Sequence, residues 1–192
     1  MTDPFVILTV CTGNICRSPA MERLLAQLFV QDPAVEVRSG GTHAHDGEDM
    51  QEPMKRRVAD YGADAEGFVA QQVTAEMVAQ ADLILAATAV HVEDMLAEVP
   101  SAAERMFTIG EFGRLLDSLP EEELAAVRSE SGTAGQLAAL TAAAHRARSR
   151  GAESSCEDDV VDPYMLPESV YDEAFRQIRE PVETLGRILQ RR

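Results

Sequence analysis

Hydrophobic residues along this chain alternate between short continuous runs and longer stretches with helical spacing. The first run, Phe5 to Cys11, is continuous and rich in β-branched residues, which is typical of a strand buried on both faces of a parallel sheet. From Met21 to Phe29, apolar residues recur at steps of three and four, as in an amphipathic helix. Similar patterns predict strands at 35–38, 81–87 and 105–109 and helices at 50–61, 74–80, 90–99 and from 111 to 116. Strands that alternate with helices favour an α/β fold, a parallel sheet with helices on both faces.

The last third of the chain has two different patterns. Residues 117–159 are rich in Ala, Glu and Ser, and they predict a helical insertion at about 117–158, with one exposed helix before Gly151 and a polar linker. From Val170 to Leu189 apolar residues again keep helical spacing, and Pro181 is expected to kink or divide that helix. Since 192 residues suit one sizeable core, we predict a single domain, 1–192, that carries the insertion.

Charge and composition exclude several classes of function. The net charge of −16 argues against nucleic acid or an anionic membrane as partner, since both require clustered Lys and Arg. The first residues lack the features of a signal peptide, and no apolar run approaches the roughly 20 residues that span a bilayer. Cys11, Cys16 and Cys156 are an odd number of cysteines, which favours free thiols over a disulfide scaffold. We therefore expect a cytoplasmic protein.

The segment after the first strand carries the most specific chemical pattern in the chain. It reads Cys11-Thr12-Gly13-Asn14-Ile15-Cys16-Arg17-Ser18 and leads into the first helix. A tight turn at a helix N-terminus points successive backbone N–H groups inward, and together with the helix dipole it binds a phosphate dianion. Arg17 can hold two phosphoryl oxygens at once through its planar guanidinium. The same surroundings favour the thiolate form of Cys11, which is the nucleophilic form.

Three further residues shape this loop, which we predict to bind phosphate through residues 12–18. Gly13 and Asn14 are the residue types that most easily take positive φ in a tight turn. The hydroxyl of Ser18 suits two roles, a hydrogen bond to the Cys11 thiolate and a cap of the following helix. The pattern does not decide between these roles.

The loop and several later segments resemble those of the low-molecular-weight protein tyrosine phosphatases. The matching segments are 10–19, Arg38-Ser-Gly-Gly-Thr42, 81–85, 107–116 and Asp162-Pro163-Tyr164. The resemblance covers nearly the whole chain except roughly residues 117–158. It implies a three-layer fold with four parallel strands in the order 2-1-3-4. It also implies hydrolysis of phosphotyrosine esters in protein substrates, without a metal or another cofactor.

The resemblance further assigns roles to single residues. Cys11 is implied to be the nucleophile that forms a phosphocysteine, and Arg17 to stabilise the charge on the phosphoryl group. Asp162 is implied to be the general acid and then the base for water, a choice among 33 acidic residues that rests on the resemblance alone. Cys16 resembles a second thiol that can trap oxidised Cys11 as a disulfide. The alternative is that Cys16 fills the underside of the loop.

The substrate cleft is expected to differ from that of relatives. His43 and His45 are predicted to line its rim, where relatives often carry an aromatic residue, and Tyr164 to supply another wall. Two histidines without a nearby third ligand do not favour a metal site. After Asp162-Pro163-Tyr164, the residues Met165-Leu-Pro-Glu replace the glycine-bearing turn of the family pattern. The inserted helix has three possible roles: a lid, a partner-docking surface or simple packing.

Two other functions remain open on this scaffold. Thiol-dependent arsenate reductases resemble it in fold and loop, but they need relay cysteines, and here only Cys16 and Cys156 are available. A non-catalytic phosphopeptide-binding module should have lost Cys11, Arg17 or Asp162, and all three are present. The leading hypothesis is therefore a phosphatase that acts on a phosphotyrosine-bearing protein, as a monomer or weak dimer.

Overall fold

Four parallel strands form one sheet in the order β2-β1-β3-β4, in a computed structural model that describes residues 3–151 and 158–190. The strands are β1 (Phe5–Cys11), β2 (Val35–Gly41), β3 (Leu83–Ala86) and β4 (Met106–Thr108). The helices are α1 (Arg17–Leu28), α2 (Glu52–Tyr61), α3 (Ala75–Gln80), α4 (Ala89–Glu98), α5 (Ile109–Asp117), α6 (Glu121–Ser129), α7 (Gly132–Ser149) and α8 (Glu168–Ile188), with a 3-10 helix at Pro100–Arg105. The predicted elements up to α5 are found within a few residues of their expected bounds.

Both faces of the sheet are covered, because successive residues of a strand point to opposite sides. Ile7 and Phe107 belong to a core that includes apolar residues of α1, α5 and α8. Leu8 and Met106, their neighbours in sequence, belong to a second core formed with α3 and α4. The predicted fold class, a three-layer α/β structure with this strand order, is thus confirmed. The double coverage also explains why β1 is continuously apolar.

The carboxyl ends of the strands meet at one edge of the sheet. Cys11, the last residue of β1, pairs in register with Gly41, the last residue of β2. Residues 158–162 join this edge, since the N–H of Val160 donates to the carbonyl of Ala87 at 2.8 Å. The loop after β1 and the segment that carries Asp162 are therefore neighbours, although they are far apart in sequence.

The inserted segment lies at the opposite edge, and the expectation of one exposed helix is wrong. Its described part contains α6 and α7, and α7 crosses the amino ends of the strands. Thr133 at its start donates a hydrogen bond to Asp32, just ahead of β2. Arg148 at its end donates to the carbonyl of Met106, the first residue of β4, at 2.8 Å. Because this edge is remote from Cys11, α7 is not a lid over the loop.

A buried stripe explains why α7 packs in this way. Its buried residues lie along one face of the helix: Thr133, Leu137, Leu140, Thr141, Ala143, Ala144 and Ala147. The apolar members of this stripe belong to the same core as Ile7 of β1. Helical spacing predicts such a stripe but not the surface that it covers. Because α7 shares its core with the sheet, we propose that residues 1–192 act as a single domain.

Pro181 does not divide α8, which runs without interruption from Glu168 to Ile188. The proline packs against Gly113 of α5, where an added Cβ would lie 2.8 Å from the Pro181 Cβ. Packing along α5 therefore holds the helix together in spite of the lost backbone hydrogen bond.

Neither α8 nor any other helix within 3–151 and 158–190 is long and apolar enough to cross a membrane.

Candidate active site

Most carbonyl groups of the loop that follows β1 accept hydrogen bonds, whereas its N–H groups have no acceptor within the described residues. The carbonyls of residues 11, 12, 13 and 15 accept hydrogen bonds of 2.8 to 2.9 Å from the N–H groups of Thr42, His43, His45 and Gln51. Among the described residues, none accepts a hydrogen bond from the backbone N–H groups of residues 12–18. A run of free N–H groups at the positive end of α1 suits a bound oxyanion.

Asn14 and Gly13 allow the loop to turn tightly, each in a different way. Asn14 has φ of 53°, the left-handed conformation that Asn tolerates better than most residues. Its buried side chain donates to the hydroxyls of Ser18 and Ser39, both at 2.9 Å. Gly13 does not have the expected positive φ. Its role is to leave space, because an added Cβ would lie 3.1 Å from the ring of His45.

Cys11 lies at the floor of the loop with its sulfur 3.0 Å from the hydroxyl oxygen of Ser18. The Ser18 oxygen already accepts from Asn14, so its proton is available to Cys11 or to the carbonyl of Gly40 at 3.3 Å. No side chain caps the first turn of α1. Of the two roles open to Ser18, the structure therefore favours the contact with sulfur, which stabilises a thiolate.

Arg17 and Asp162 meet at the mouth of the loop. The buried guanidinium of Arg17 donates to Asp162 Oδ2 at 2.9 Å and to the carbonyl of Val160 at 3.2 Å. The Asp162 side chain is 54% exposed, so its carboxyl group can face both the loop and incoming substrate or water. The three predicted catalytic residues, Cys11, Arg17 and Asp162, thus line one cavity.

This cavity, of about 250 Å³, is small and has aromatic walls. Its lining residues are Cys11, Thr12, Gly13, Ile15, Cys16, Arg17, His43, His45, Asp162 and Tyr164. The rings of His45 and Tyr164 meet edge to face with their centroids 5.7 Å apart. The predicted cleft residues, His43 and Tyr164, are both in this lining. Asn14 and Ser18 lie behind it and support the loop instead.

The turn beyond Tyr164 keeps an unusual conformation without the glycine of the family pattern. Met165 has φ of 58° and is 82% exposed. This left-handed conformation is the one that glycine adopts most easily, so methionine adds local strain. The substitution places an exposed apolar side chain beside the cavity.

Cys16 lies beneath the loop and is not exposed. Burial, and the charge of the neighbouring Cys11, raise the pKa of the Cys16 thiol to about 12. The buried Tyr171 of α8 is close enough to this thiol for its hydroxyl to oppose the rise in the pKa of Cys16. Cys11 and Cys16 are both free, so the disulfide between them stays a prediction. Cys156 lies outside the described residues.

His91 belongs to the site although no sequence pattern points to it. It is buried on α4, with Nε2 2.9 Å from the hydroxyl of Thr12 and Nδ1 2.7 Å from the hydroxyl of Thr88. The same Thr12 hydroxyl lies 3.4 Å from the guanidinium of Arg17. Burial, and then the nearby Arg17 charge, lower the pKa of His91 to about 4, so its ring is neutral at physiological pH. A lone histidine in an ordinary amphipathic helix gives no sequence signal.

Comparison with known families identifies the chain. A model of the low molecular weight phosphotyrosine protein phosphatase family matches residues 6–119, more than half of the chain. The chain belongs to this family. The match includes the loop at Cys11 but ends well before Asp162, whose place in the site rests on the geometry described above.

Relatives within the low molecular weight phosphatase family include two kinds of protein phosphatase. The low molecular weight protein-tyrosine-phosphatase Etp of Escherichia coli K12 is 37% identical over 110 residues, which cover 55% of this chain and 70% of Etp. A protein-arginine-phosphatase of Geobacillus stearothermophilus is 35% identical over 109 residues, which cover 57% of this chain and 72% of that protein.

Solved structures of the low molecular weight phosphatases share the fold over nearly the whole chain. The tyrosine phosphatase AmsI of Erwinia amylovora superposes with a TM-score of 0.67 at 22% identity, over 96% of this chain and 92% of AmsI. The YwlE arginine phosphatase of Geobacillus stearothermophilus superposes with a TM-score of 0.67 at 27% identity, over 97% of this chain and 94% of YwlE.

Proposed function

We propose that this family member hydrolyses phosphotyrosine in proteins through a phosphocysteine formed on Cys11. One observation carries the proposal. Cys11 shares one cavity with Arg17 and Asp162, in a loop whose seven backbone N–H groups, at residues 12–18, have no acceptor in the described part of the chain. This arrangement supplies a nucleophile, charge stabilisation and a proton carrier around one tetrahedral phosphoryl group.

The proposed reaction has two steps. In the first, the Cys11 thiolate attacks phosphorus, the bond from phosphorus to the tyrosine oxygen breaks, and Asp162 gives its proton to the departing phenolate. Before this step Asp162, which is open to solvent, must leave its ion pair with Arg17 and take up a proton from water, and the Arg17 guanidinium then holds two phosphoryl oxygens. In the second, Asp162 takes a proton from water, the water oxygen attacks phosphorus, and the bond to sulfur breaks. The Ser18 hydroxyl stabilises the regenerated thiolate.

The walls of the cavity favour tyrosine over arginine as the side chain that carries the phosphate. Ile15 is 3% exposed and offers an apolar wall, and the rings of His45 and Tyr164 suit contact with a flat aryl group. Phosphoarginine would bring a guanidinium group, which needs hydrogen-bond acceptors. Among the described lining residues, Asp162 is the only carboxylate, and Arg17 already pairs with it.

Peptides of one sequence that carry either phosphotyrosine or phosphoarginine test this proposal. We expect kcat/KM to be at least about 10-fold higher for phosphotyrosine, since one badly matched polar group costs on the order of 1.4 kcal/mol or more. Asp162→Asn should lower kcat for phosphotyrosine about 100- to 1,000-fold, the usual size of general acid catalysis. The loss should be smaller for p-nitrophenyl phosphate, because nitrophenolate is a weaker base and needs less help from a proton.

Asp159→Asn is the matched control. Asp159 lies three residues before Asp162 and accepts a hydrogen bond from the N–H of Ala89 at 2.8 Å, which an asparagine oxygen can also accept. The Asp159→Asn variant should therefore keep wild-type turnover. If phosphate is released faster from phosphoarginine than from phosphotyrosine, the assignment to tyrosine is wrong. Reduction of arsenate in the presence of thiols, with negligible phosphate release, would favour a reductase. Binding of the peptide without turnover would favour a phosphopeptide-binding module.

Replacing His91 with alanine is expected to lower kcat/KM for p-nitrophenyl phosphate about 10-fold. The reason is that one supporting hydrogen bond, from the ring to the Thr12 hydroxyl beside Arg17, contributes roughly 1 to 1.5 kcal/mol. A double-mutant cycle with Thr12→Val tests whether His91 acts on the site through the Thr12 hydroxyl. If His91 acts through Thr12, the double variant loses no more than Thr12→Val alone, and additive losses would contradict this. His145→Ala, on α7 at the opposite edge, is the control and should leave kcat/KM unchanged.

A further inference from the structure

A second groove begins at the rim of the active-site cavity. His43 lines both the cavity and this groove, which has a volume of about 370 Å³ and lies between α3 and α4. Its floor is apolar, with Val78 and Met95 buried there. Two exposed carboxylates, Asp94 and Glu98, stand on its α4 side. The groove therefore combines an apolar floor with negative charge, directly beside the site of the reaction.

The two carboxylates have no counter-charge in the described part of the chain. Asp94 and Glu98 are four residues apart on α4, so they share one face of the helix. Neither forms an ion pair with a described residue, and no Lys or Arg lines the groove. Like charges at this spacing repel each other, and a cation bound between them would relieve that repulsion.

We propose that this groove binds the polypeptide next to the phosphotyrosine of a substrate and selects segments that carry Lys or Arg. The inference rests on the proposed function of the cavity. A peptide whose tyrosine enters the cavity must leave across its rim, and His43 is the part of the rim that leads into the groove. The N–H of His43 is fixed to the carbonyl of Thr12 at 2.9 Å, so the rim and the phosphate loop form a continuous surface.

The charges around the rest of the rim favour the same kind of substrate. Glu48 lies 3.5 Å from the ring of His45 with its side chain 56% exposed, and Asp162 is 54% exposed. The cation of the site, Arg17, is buried in the loop. With a net charge of −16 on the whole chain, the surface attracts basic peptides and repels acidic ones.

Phosphotyrosine peptides that differ only in flanking residues test the proposal. One series carries Lys and the other carries Glu, at about two to four residues on either side of the phosphotyrosine. An extended peptide spans roughly 3.3 to 3.6 Å per residue, so these positions can reach the groove. At low salt we expect kcat/KM for the best Lys peptide to exceed that for its Glu partner about 10-fold. The ratio should fall as salt screens the charges. The double variant Asp94→Asn/Glu98→Gln should lower this ratio about 3-fold or more, while Glu48, Asp162 and the net charge of the chain leave a smaller preference for Lys.

The controls separate this inference from the proposed function. Turnover of p-nitrophenyl phosphate, which is too small to enter the groove, should be the same in the wild type and in Asp94→Asn/Glu98→Gln. The variant Glu122→Gln/Glu130→Gln, with the same loss of charge on the inserted segment, should keep the peptide ratio. If the wild type hydrolyses no phosphotyrosine peptide, the function itself fails.

Two results would overturn the groove alone. One is an unchanged peptide ratio in Asp94→Asn/Glu98→Gln while p-nitrophenyl phosphate is still hydrolysed. The other is a double variant that elutes from a size-exclusion column at a different volume from the wild type but keeps its peptide ratio. That result would assign the groove to contact between copies of the chain.

Discussion

Cys11→Ser is expected to abolish turnover of p-nitrophenyl phosphate, with kcat lowered about 10,000-fold or more, the usual cost of removing a catalytic nucleophile. A serine hydroxyl is not ionised at neutral pH, and none of the described residues that the structure places in hydrogen bonds with Cys11 is a base that could activate it. Serine is close to cysteine in size, so the N–H groups of residues 12–18 and Arg17 should still bind phosphate. Steady-state kinetics and titration of a phosphotyrosine peptide by calorimetry measure the two effects separately.

Cys16→Ala is the matched control for Cys11→Ser. Both cysteines belong to the same loop and both are buried, but burial and the charge of Cys11 raise the pKa of Cys16 to about 12, so its thiol stays protonated. The variant should therefore keep turnover within about 10-fold of the wild type, with the loss coming from looser packing. Equal losses in the two variants would show that the loop needs both side chains for its shape, and would contradict the role given to Cys11.

The sheet and the phosphate loop could be predicted because local patterns determine them. A strand covered on both faces needs a continuous apolar run, and Phe5 to Cys11 is such a run. A loop of free N–H groups before a helix needs residues that turn tightly, and Asn14 does so with φ of 53°. Both requirements act on neighbouring residues, so they leave a direct mark on the sequence.

The rest of the site depends on contacts between distant segments, which a single sequence does not reveal. Asp162 lies 145 positions from Arg17, and only the family resemblance distinguished it from the other acidic residues. His91 reaches the loop through Thr12, 79 positions away, and nothing in α4 marks that contact. The place of α7 was missed for the same reason, since a buried stripe predicts burial but not the partner.

The segment that carries Asp162 is held by anchors on several elements. The Asp158 carboxylate, which is buried, receives two hydrogen bonds from Arg114 of α5, at 2.7 and 3.0 Å. Its carbonyl accepts from the hydroxyl of Thr108 at 3.2 Å. Asp159 accepts from the first N–H of α4. These anchors hold the segment of Asp162 in front of the loop before substrate arrives, so the carboxyl group has only to leave its ion pair with Arg17.

Arg148→Met is expected to lower the free energy of unfolding by about 3 kcal/mol, the lower end of the cost of breaking a buried ion pair. The guanidinium of Arg148 donates to the carbonyls of Met106 and Ala103, at 2.8 and 2.7 Å, and lies 4.4 Å above the ring of Phe107. It is also 3.5 Å from the carboxylate of Glu111, whose side chain is only 6% exposed. Methionine keeps much of the apolar contact but removes the ion pair that Arg148 forms with the buried carboxylate of Glu111. Urea denaturation measures the loss.

The dependence of this loss on pH distinguishes charge from packing. Burial raises the pKa of Glu111 above its ordinary value of 4.5, and Arg148 opposes that rise. In Arg148→Met the folded pKa should rise further. Above that pKa the cost of the buried charge is fully present, and it disappears as the pH falls through the folded pKa toward 4.5, because the carboxyl group is then neutral in both states. The stability difference from the wild type should therefore be larger at pH 7.5 than at pH 5.

The double variant Glu111→Gln/Arg148→Met tests the role of charge directly, because it also removes the negative charge that Arg148 balances. The double variant should recover about half of the loss and should show no extra dependence on pH between 5 and 7.5. Arg146→Met, two residues earlier on α7 with its side chain 57% exposed, should change stability by less than about 0.5 kcal/mol. If the double variant were as unstable as Arg148→Met at both pH values, then the carbonyl and ring contacts of Arg148, not the neutralisation of Glu111, would be what holds α7 against the sheet.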